Sequence, residues 1–277
     1  MTSHHPYLDE PGPVPIAHRG GSAVWPQNTM AAFEGAVGLG YRYLETDVQA
    51  TSDGVLAIFH DKELAQSSDR HRRISEMTWS EVSQIRVDGE PIPRLEELLD
   101  TFDDVRISID PKTDAAVEPL IEALRRPGVL DRVCVGSFSD ARLARLNQAF
   151  GDGVCLSFSP REIARLAALS GVGFPAHPSL RPRLGSRSRL LQRRPFRGRI
   201  ASIPLRRGPI PLATRRLVDY AHRAGLTVHV WTIDDPAEMD RLLDIGVDGI
   251  MTDEPRVLLE VMTERENRPE DGEGIGP

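Results

Sequence analysis

Two pairs of charged residues in the sequence share a spacing that suits metal chemistry. Glu45 and Asp47 lie two residues apart in an apolar run, and Asp110 and Lys112 have the same spacing. In a β-strand, residues two apart leave by the same face, so each pair presents both side chains together. Neighbouring carboxylates repel each other unless a cation lies between them. Three converging carboxylates therefore suit one hard divalent cation, Mg²⁺ or Ca²⁺, with water or substrate oxygens completing its coordination.

Two histidines accompany these carboxylates. His18 is followed directly by Arg19 at the end of one apolar run, and His60 ends another. Beside a metal, an arginine and a lysine, two imidazoles indicate phosphate chemistry, because the cations neutralise phosphate oxygens. One histidine accepts a proton from the nucleophile and the other donates one to the leaving alkoxide. Histidine fits both roles since its ordinary pKa lies near 6.5.

A hairpin is predicted to bring one of the histidines to the carboxylates. The strand candidates 43–50 and 55–59 are joined by only four residues, which are too few for a parallel crossover. The Asp-Gly pair in residues 51–54 favours a two-residue turn. With that turn, the residue numbers of each pair that faces across the hairpin add up to 107. His60 is therefore expected opposite Asp47. Directly opposed residues have Cβ atoms about 4.5–5.5 Å apart.

The remaining elements alternate between strand and helix, which favours parallel βα units. Without the arm at 55–59 the strand candidates number eight, and the length of 277 residues fits a (β/α)8 TIM barrel. An open doubly wound sheet is the lower-ranked alternative, because no glycine-rich dinucleotide fingerprint follows the first strand. The strand candidates are 14–18, 43–50, 55–59, 105–110, 133–138, 154–158, 199–205, 227–233 and 249–252, and the helix candidates are 29–40, 95–102, 116–126, 141–150, 162–169, 214–224 and 237–245.

In such a barrel the active site lies at the C-terminal ends of the strands, where the charged residues above are found. Trp231 on the penultimate strand is either a core residue or a wall that contacts substrate. His229 is predicted to alternate away from the face of Trp231 and is left outside the site. Asn28 is predicted to cap the first helix, because its side chain accepts from free backbone N–H groups.

Composition excludes several classes of protein. The 34 basic and 41 acidic residues give a net charge of −7, which argues against nucleic-acid binding. Two cysteines, Cys134 and Cys155, exclude a disulfide-rich scaffold and cannot form a structural zinc site alone. The sequence contains no apolar run of membrane-spanning length and no secretory signal at its N-terminus, so we expect no transmembrane segment and a cytoplasmic location.

The domain prediction consists of one barrel between two polar tails. Residues 1–13 are expected to be a flexible tail, 14–262 the barrel, and 263–277 a disordered tail. The segment 181–199 is predicted to be an insertion and contains eight arginines. We interpret it as a solvated loop or short helix, or else as a cationic patch that makes weak contact with anionic headgroups or a membrane surface.

Nine short motifs follow one another over about residues 14–256. In order they are Ile16-Ala17-His18-Arg19-Gly20, Trp25-Pro26-Gln27-Asn28-Thr29, Glu45-Thr46-Asp47-Val48-Gln49, Thr51-Ser52-Asp53-Gly54, His60-Asp61, Ile92-Pro93-Arg94-Leu95-Glu96-Glu97-Leu98-Leu99, Asp110-Pro111-Lys112, Val230-Trp231-Thr232 and Asp248-Gly249-Ile250-Met251-Thr252-Asp253-Glu254-Pro255. Together they resemble the glycerophosphodiester phosphodiesterase family, which is metal-dependent and has a TIM-barrel fold.

The resemblance implies hydrolysis of a small-molecule glycerophosphodiester to glycerol 3-phosphate and an alcohol. It also implies that the substrate's own glycerol hydroxyl attacks, through a cyclic phosphate. His18 and His60 match the acid–base pair of the family. The other matched positions are charged: Glu45, Asp47 and Asp110 match ligands of one divalent cation, Mg²⁺ or Ca²⁺, and Arg19 and Lys112 match phosphate-contacting positions.

Two residues depart from the family pattern. Gln27 replaces the glutamate of the usual Pro-Glu-Asn-Thr motif, which removes one negative charge, and Asp110 stands where the family usually has a longer glutamate. They leave open a weakly active barrel that binds a phosphorylated ligand. The arginine-rich segment 181–199 leaves open a phospholipase-D-like lyase that acts on intact lipids.

Overall fold

The computed structural model describes residues 5–61, 63–64, 72–172 and 196–268. Within these ranges the strands are β1 (Val14–Ala17), β2 (Tyr43–Ala50), β3 (Leu56–Ile58), β4 (Arg86–Val87), β5 (Glu90–Pro91), β6 (Arg106–Pro111), β7 (Val133–Val135), β8 (Cys155–Leu156), β9 (Ile200–Pro204), β10 (Arg206–Arg207), β11 (Ile210–Pro211), β12 (Thr227–Trp231) and β13 (Gly249–Thr252).

The helices follow most of the barrel strands and lie outside them. They are α1 (Met30–Gly38), α2 (Trp79–Val82), α3 (Leu95–Thr101), α4 (Val117–Leu124), α5 (Asp140–Phe150), α6 (Pro160–Ser170), α7 (Arg215–Arg223), α8 (Pro236–Asp244) and α9 (Pro255–Glu266). In the described part of the chain, none of them is long and apolar enough to cross a membrane.

Eight parallel strands form the barrel in the order β8-β7-β6-β2-β1-β13-β12-β9. A parallel bridge between Ser157 and Ile200 joins the two ends of this row. Next to it, the backbone N–H of Phe158 donates to the carbonyl of Ile200 at 2.8 Å. The predicted TIM barrel is confirmed, and the open doubly wound alternative is wrong.

The antiparallel arm after the second strand is also present, but its register differs from the prediction. β3 pairs with β2 so that Ala50 faces Leu56. The N–H of Thr51 donates to the carbonyl of Val55, and Gly54 adopts a φ of +86°. These are features of a three-residue loop with glycine in the left-handed region, instead of the two-residue turn that we expected.

The observed register of β3 differs from the predicted one by one residue, which changes the residue opposite Asp47. The N–H of Phe59 donates to the carbonyl of Asp47 at 3.0 Å, so Phe59 and not His60 lies opposite it. The predicted Asp47–His60 pairing is therefore wrong. β3 ends at Ile58, and His60 reaches the cavity described below from the segment that follows the strand.

Apolar side chains form separate layers inside and outside the strands. Two large clusters lie between the barrel and its helices, and they include Leu120 of α4 and Leu217 of α7. A third cluster includes Ile16, Tyr43 and Met251 and fills the barrel interior. Burial of these side chains holds the strand ends in fixed positions.

The N-terminal segment is not a tail over residues 5–13. Tyr7 is fully buried in the interior cluster, and the Tyr43 hydroxyl donates to the carbonyl of Tyr7 at 2.9 Å. Their rings meet edge to face with centroids 5.4 Å apart. Since Tyr43 begins β2, this segment closes the N-terminal end of the barrel.

The other predicted boundaries are described only in part. α9 continues to Glu266, beyond the predicted end at 262, and Arg265 forms ion pairs with Asp240 and Asp244 of α8. Residues 1–4 and 269–277 of the predicted tails lie outside the described residues, as do 181–195 of the arginine-rich segment. In its described part, the Phe196 ring stacks on Phe158.

His229 faces the barrel interior, so the prediction that it alternates away from Trp231 was wrong. Residues two apart on β12 share a face. A Cβ built on Gly249, the β13 partner of His229, would lie 2.7 Å from the His229 ring. Burial lowers the pKa of His229 to about 4, so the imidazole is neutral.

Candidate active site

A cavity of about 280 Å³ opens at the C-terminal ends of the barrel strands. It brings together every residue that the sequence singled out for chemistry, although the residues come from five separate parts of the chain. These lining residues are His18, Arg19, Glu45, Asp47, His60, Asp110, Lys112 and Trp231.

Adjacent strands hold two of the carboxylates side by side. Asp47 on β2 is in register with Asp110 on β6. The Lys112 ammonium lies 2.6 Å from Oδ1 of Asp47 and donates to Oδ2 of Asp110 at 2.8 Å. Burial alone would lower the pKa of Lys112, but the two carboxylates outweigh burial and raise it. Lys112 therefore stays charged between them.

The other oxygen of Asp47 contacts the turn after β1. Arg19 Nε lies 3.1 Å from Oδ2 of Asp47, and the Asn28 amide donates to the same oxygen at 2.9 Å. The N-cap of α1 is Thr29, whose hydroxyl accepts from Ala32. The prediction that Asn28 caps this helix was wrong: the buried Asn28 orients Asp47. Its position in the Trp25–Thr29 motif was the signal available in the sequence.

The two carboxylates on β2 differ in protonation. Burial raises the pKa of Glu45 to about 7, and the charge of Asp47 adds to this effect. Burial would also raise the pKa of Asp47, but Lys112 and Arg19 together outweigh it and lower the pKa. Asp47 is therefore a stable anion, while Glu45 would gain most from an added cation.

Each histidine has a carboxylate on the same ring nitrogen. His18 Nδ1 lies 2.7 Å from Asp253 Oδ1, and His60 Nδ1 lies 2.7 Å from Asp61 Oδ1. The Gln49 amide fixes the second pair by donating to the carbonyl of Asp61 at 2.7 Å. Both contacts leave Nε2 for proton transfer. The sequence did not predict the contact between Asp253 and His18, although Asp253 lies in the motif at residues 248–255.

Gln27, the first departure from the family pattern, contacts a cationic residue of the cavity. Arg19 donates to Gln27 Oε1 at 2.6 Å. The amide thus supplies the acceptor that a glutamate would offer, without its charge. Arg19 keeps its orientation, but the cavity carries one negative charge fewer than the family pattern implies.

The opposite wall of the cavity is apolar. Phe138 meets Trp231 edge to face with centroids 5.8 Å apart, and its side chain is 69% exposed. Phe158, Ile163 and Met251 continue this wall. A ligand in the cavity therefore has its charged part on one side and its less polar part on the other.

The donors in the cavity fit a hard divalent cation by their chemistry, since Glu45, Asp47 and Asp110 all offer carboxylate oxygens. Within residues 5–61, 63–64, 72–172 and 196–268, however, no three His, Cys, Asp or Glu side chains form a ready cluster for a metal ion. Lys112 lies between two of the three carboxylates. A cation shared by all three requires the Lys112 side chain to move.

Comparison with known proteins finds matches along most of the chain. Residues 18–257 match the model of the glycerophosphoryl diester phosphodiesterase family. The chain is 36% identical to "Probable glycerophosphodiester phosphodiesterase 2" of Mycobacterium tuberculosis, and the match covers 94% of each chain.

Solved structures share the fold at lower identity. One is a glycerophosphodiester phosphodiesterase from Agrobacterium tumefaciens (TM-score 0.68, 22% identity, 91% of this chain and all of the other). A second is a phosphodiesterase from Oleispira antarctica in complex with the product sn-glycerol-3-phosphate (TM-score 0.70, 20% identity, 91% and 97% of the two chains).

Proposed function

Because the chain belongs to the glycerophosphoryl diester phosphodiesterase family, we infer that it is an enzyme that hydrolyses glycerophosphodiesters to glycerol 3-phosphate and an alcohol. The observation that carries this inference is the cavity itself. It combines two histidines, each oriented through Nδ1 by a carboxylate, with the cationic side chains of Arg19 and Lys112.

We assign the binding of the phosphate group to Arg19 and Lys112. Arg19 is already held by Asp47 at 3.1 Å, so its side chain does not have to be ordered when the substrate binds. Lys112 lies 2.6 Å from Asp47 and has to turn from it toward the phosphate. Preorganised cations stabilise the charge that develops on phosphate oxygens during the reaction. The arginine also offers several donors in a planar arrangement that matches a phosphate.

His18 and His60 are the proposed acid–base pair. One Nε2 accepts the proton of the attacking hydroxyl, and the other Nε2 donates a proton to the leaving alkoxide. The attacking hydroxyl is the glycerol hydroxyl of the substrate, which forms a cyclic phosphate as the bond from phosphorus to the leaving alkoxide breaks. Water then opens the ring: the histidine that gave up its proton accepts one from the water, and the histidine that gained a proton returns it to the glycerol oxygen. Each proton lost by one group is thus taken up by another within the cavity.

Glu45, Asp47 and Asp110 would hold one divalent cation, either Mg²⁺ or Ca²⁺. When bound there, such a cation would supply positive charge to the phosphate oxygens and to the charge that develops on them. The raised pKa of Glu45, caused by burial and by Asp47, supports this proposal, because an added positive charge would relieve both effects. For all three carboxylates to hold the cation, the Lys112 side chain would have to turn from Asp47 and Asp110 toward the phosphate.

The apolar wall is proposed to contact the uncharged part of the substrate, with Trp231 against the glycerol or alcohol carbons. The exposure of Phe138 beside the cavity favours a second candidate substrate, an intact lipid with one acyl chain, as in a phospholipase-D-like lyase. A cytoplasmic location and weak contact of 181–199 with anionic surfaces stay predictions.

The deciding experiment measures glycerol 3-phosphate released from glycerophosphocholine and glycerophosphoethanolamine, in parallel with EDTA, Mg²⁺ or Ca²⁺. We expect release that depends on the cation, and the preferred cation identifies the metal. Lysophospholipid micelles form a parallel arm. Turnover of micelles alone would replace the first candidate by the second, and no turnover of either by folded protein would contradict both.

A further inference from the structure

We propose that Asp253 is a positioning residue that holds His18 with its proton on Nδ1 and thereby assigns Nε2 to proton transfer. The proposal rests on the proposed function, since it concerns the same site. The proposal adds Asp253 to the proposed site. Asp253 lies 235 positions from His18 in the chain, and the barrel brings its carboxylate to 2.7 Å from the His18 ring.

The contact follows from the pairing of the first and last barrel strands. β1 and β13 are parallel, and Ala17 is in register with Thr252. His18 and Asp253 are the first residues after these two strands, so they leave the barrel side by side. The closure of the barrel thus fixes the histidine and the carboxylate to each other.

The backbone of Asp253 is itself anchored. Its N–H donates to Asp234 Oδ1 at 2.8 Å, and the Thr252 hydroxyl donates to the same oxygen at 3.1 Å. On the other side, the N–H of Ala23 donates to the carbonyl of Asp253 at 3.1 Å. With its backbone held at both ends, Asp253 presents its carboxylate to the ring in one direction.

The protonation of Asp253 decides the tautomer. Burial would raise the pKa of Asp253, but the hydrogen bonds from His18 and Ser22 outweigh burial and lower it. An ionised carboxylate can only accept hydrogen bonds, so Nδ1 must carry the proton in this contact. Nε2, which lies 3.7 Å from Glu45, is then the nitrogen that faces the cavity chemistry.

The second histidine offers a comparison within the molecule. His60 and Asp61 are neighbours in sequence, and their side chains are 34% and 54% exposed, against 15% and 27% for His18 and Asp253. Water competes for the exposed pair and weakens its control of the ring. The more buried His18–Asp253 pair therefore constrains its imidazole more strongly.

The test uses the full-length chain with Asp253→Asn and Asp253→Glu. Asparagine has nearly the same shape but can donate to Nδ1, which favours the wrong tautomer. We expect Asp253→Asn to lower kcat about 10- to 100-fold with KM within about threefold, and Asp253→Glu to restore part of kcat. A purely structural role predicts the reverse order, because asparagine is the smaller change in volume.

Nitrogen-15 NMR of the histidine side chains supplies a readout that does not need turnover. At about pH 9, well above the ordinary histidine pKa, we expect His18 to carry its proton on Nδ1 in the wild type and to lose this preference in Asp253→Asn. Asp248→Asn is the matched control, because Asp248 contacts His222 at 2.8 Å outside the cavity. It should change neither kcat nor the His18 signal.

Wild-type kcat in Asp253→Asn, or an unchanged His18 tautomer in that variant, would overturn the proposal. Failure of the proposed function has a different signature: the wild type itself would not release glycerol 3-phosphate. The NMR measurement still decides the role of Asp253 in that case, since it needs neither substrate nor metal.

Discussion

The Lys112 ammonium lies 2.6 Å from Asp47 at the centre of the cavity. The same nitrogen reaches Asp110, so one lysine contacts two carboxylates on adjacent strands. This is the position where three carboxylates were expected to surround a divalent cation. In the proposed metal site, Lys112 and a divalent cation would therefore compete for Asp47 and Asp110.

The first prediction concerns this exchange. Replacement Lys112→Met removes the lysine partner of Asp110 and leaves Asp47 with Arg19 alone, so the free energy of unfolding should fall by about 2 kcal/mol in EDTA. Added Ca²⁺ or Mg²⁺ should stabilise the variant more than the wild type, because cation binding no longer competes with the lysine. Thermal unfolding with and without cations measures both effects. Arg145→Met, which breaks an exposed ion pair with Glu118, is the control and should behave as the wild type does with and without cations. Equal stabilisation of Lys112→Met and the wild type would contradict the prediction.

The second prediction concerns the acid–base pair. His18→Asn and His60→Asn should each lower kcat by at least about 100-fold, because each removes one of two proton transfers. The double variant should lose much less than the product of the two losses, since the histidines act as a unit. Steady-state release of glycerol 3-phosphate measures these rates. His222→Asn, which changes an exposed histidine on α7, should keep wild-type activity. Full activity in either single variant would refute the assignment.

The third prediction tests the missing charge at position 27. Gln27→Glu keeps the acceptor for Arg19 but adds a negative charge beside this arginine, which contacts Asp47, and the added charge favours a divalent cation in the cavity. The cation concentration for half-maximal activity should fall about 3- to 10-fold. Gln84→Glu makes the same change at an exposed position on the surface and should leave the titration unchanged. A higher cation requirement in Gln27→Glu would count against the proposed metal site.

The fourth prediction follows from the buried His229. Its pKa is about 4 in the folded protein because of burial, which outweighs the charge of Asp248, and near 6.5 when the chain unfolds. Between these pH values only the unfolded chain carries a proton on His229. The stabilisation that comes from the neutral His229 is therefore complete above about pH 6.5 and is lost as the pH falls toward 4. At about pH 5 this loss amounts to about 2 kcal/mol. Urea unfolding of the wild type and His229→Gln at about pH 7 and pH 5 measures it. The variant should lose less stability than the wild type between the two pH values, and equal losses would rule the mechanism out.

The fifth prediction concerns the apolar wall. Phe138→Ala should raise KM for a lysophospholipid about 3- to 10-fold, because an acyl chain loses an apolar contact. KM for glycerophosphocholine, which has no acyl chain, should stay within about twofold. Leu169→Ala removes another exposed apolar side chain, from α6, and serves as control. If the wild type does not act on lysophospholipid, or if both KM values change equally, Phe138 does not select for an acyl chain.

Much of the site could be predicted because its signals are local. The two-residue spacing of Glu45 and Asp47 determines that both side chains share a face, since the pleat of a strand alternates whatever the rest of the chain does. The alternation of strands and helices predicted the barrel, and the barrel predicted the end at which the charged residues gather. The sequence could also place His18 and Arg19 at the end of the first strand.

The remaining contacts depend on backbone geometry and on pairs distant in sequence. The register of β3 depends on the left-handed Gly54 in a three-residue loop, and one residue of slip replaced His60 by Phe59 opposite Asp47. Tyr7 closes the N-terminal end of the barrel because its ring fills apolar space in the barrel interior. No local pattern in the sequence indicates this contact.

Asp253 meets His18 only because β1 pairs with β13, and Lys112 lies between two aspartates only because β2 pairs with β6. Local covalent geometry thus determined which side chains leave a strand together. The burial of apolar surface that closes the barrel decided which of them meet.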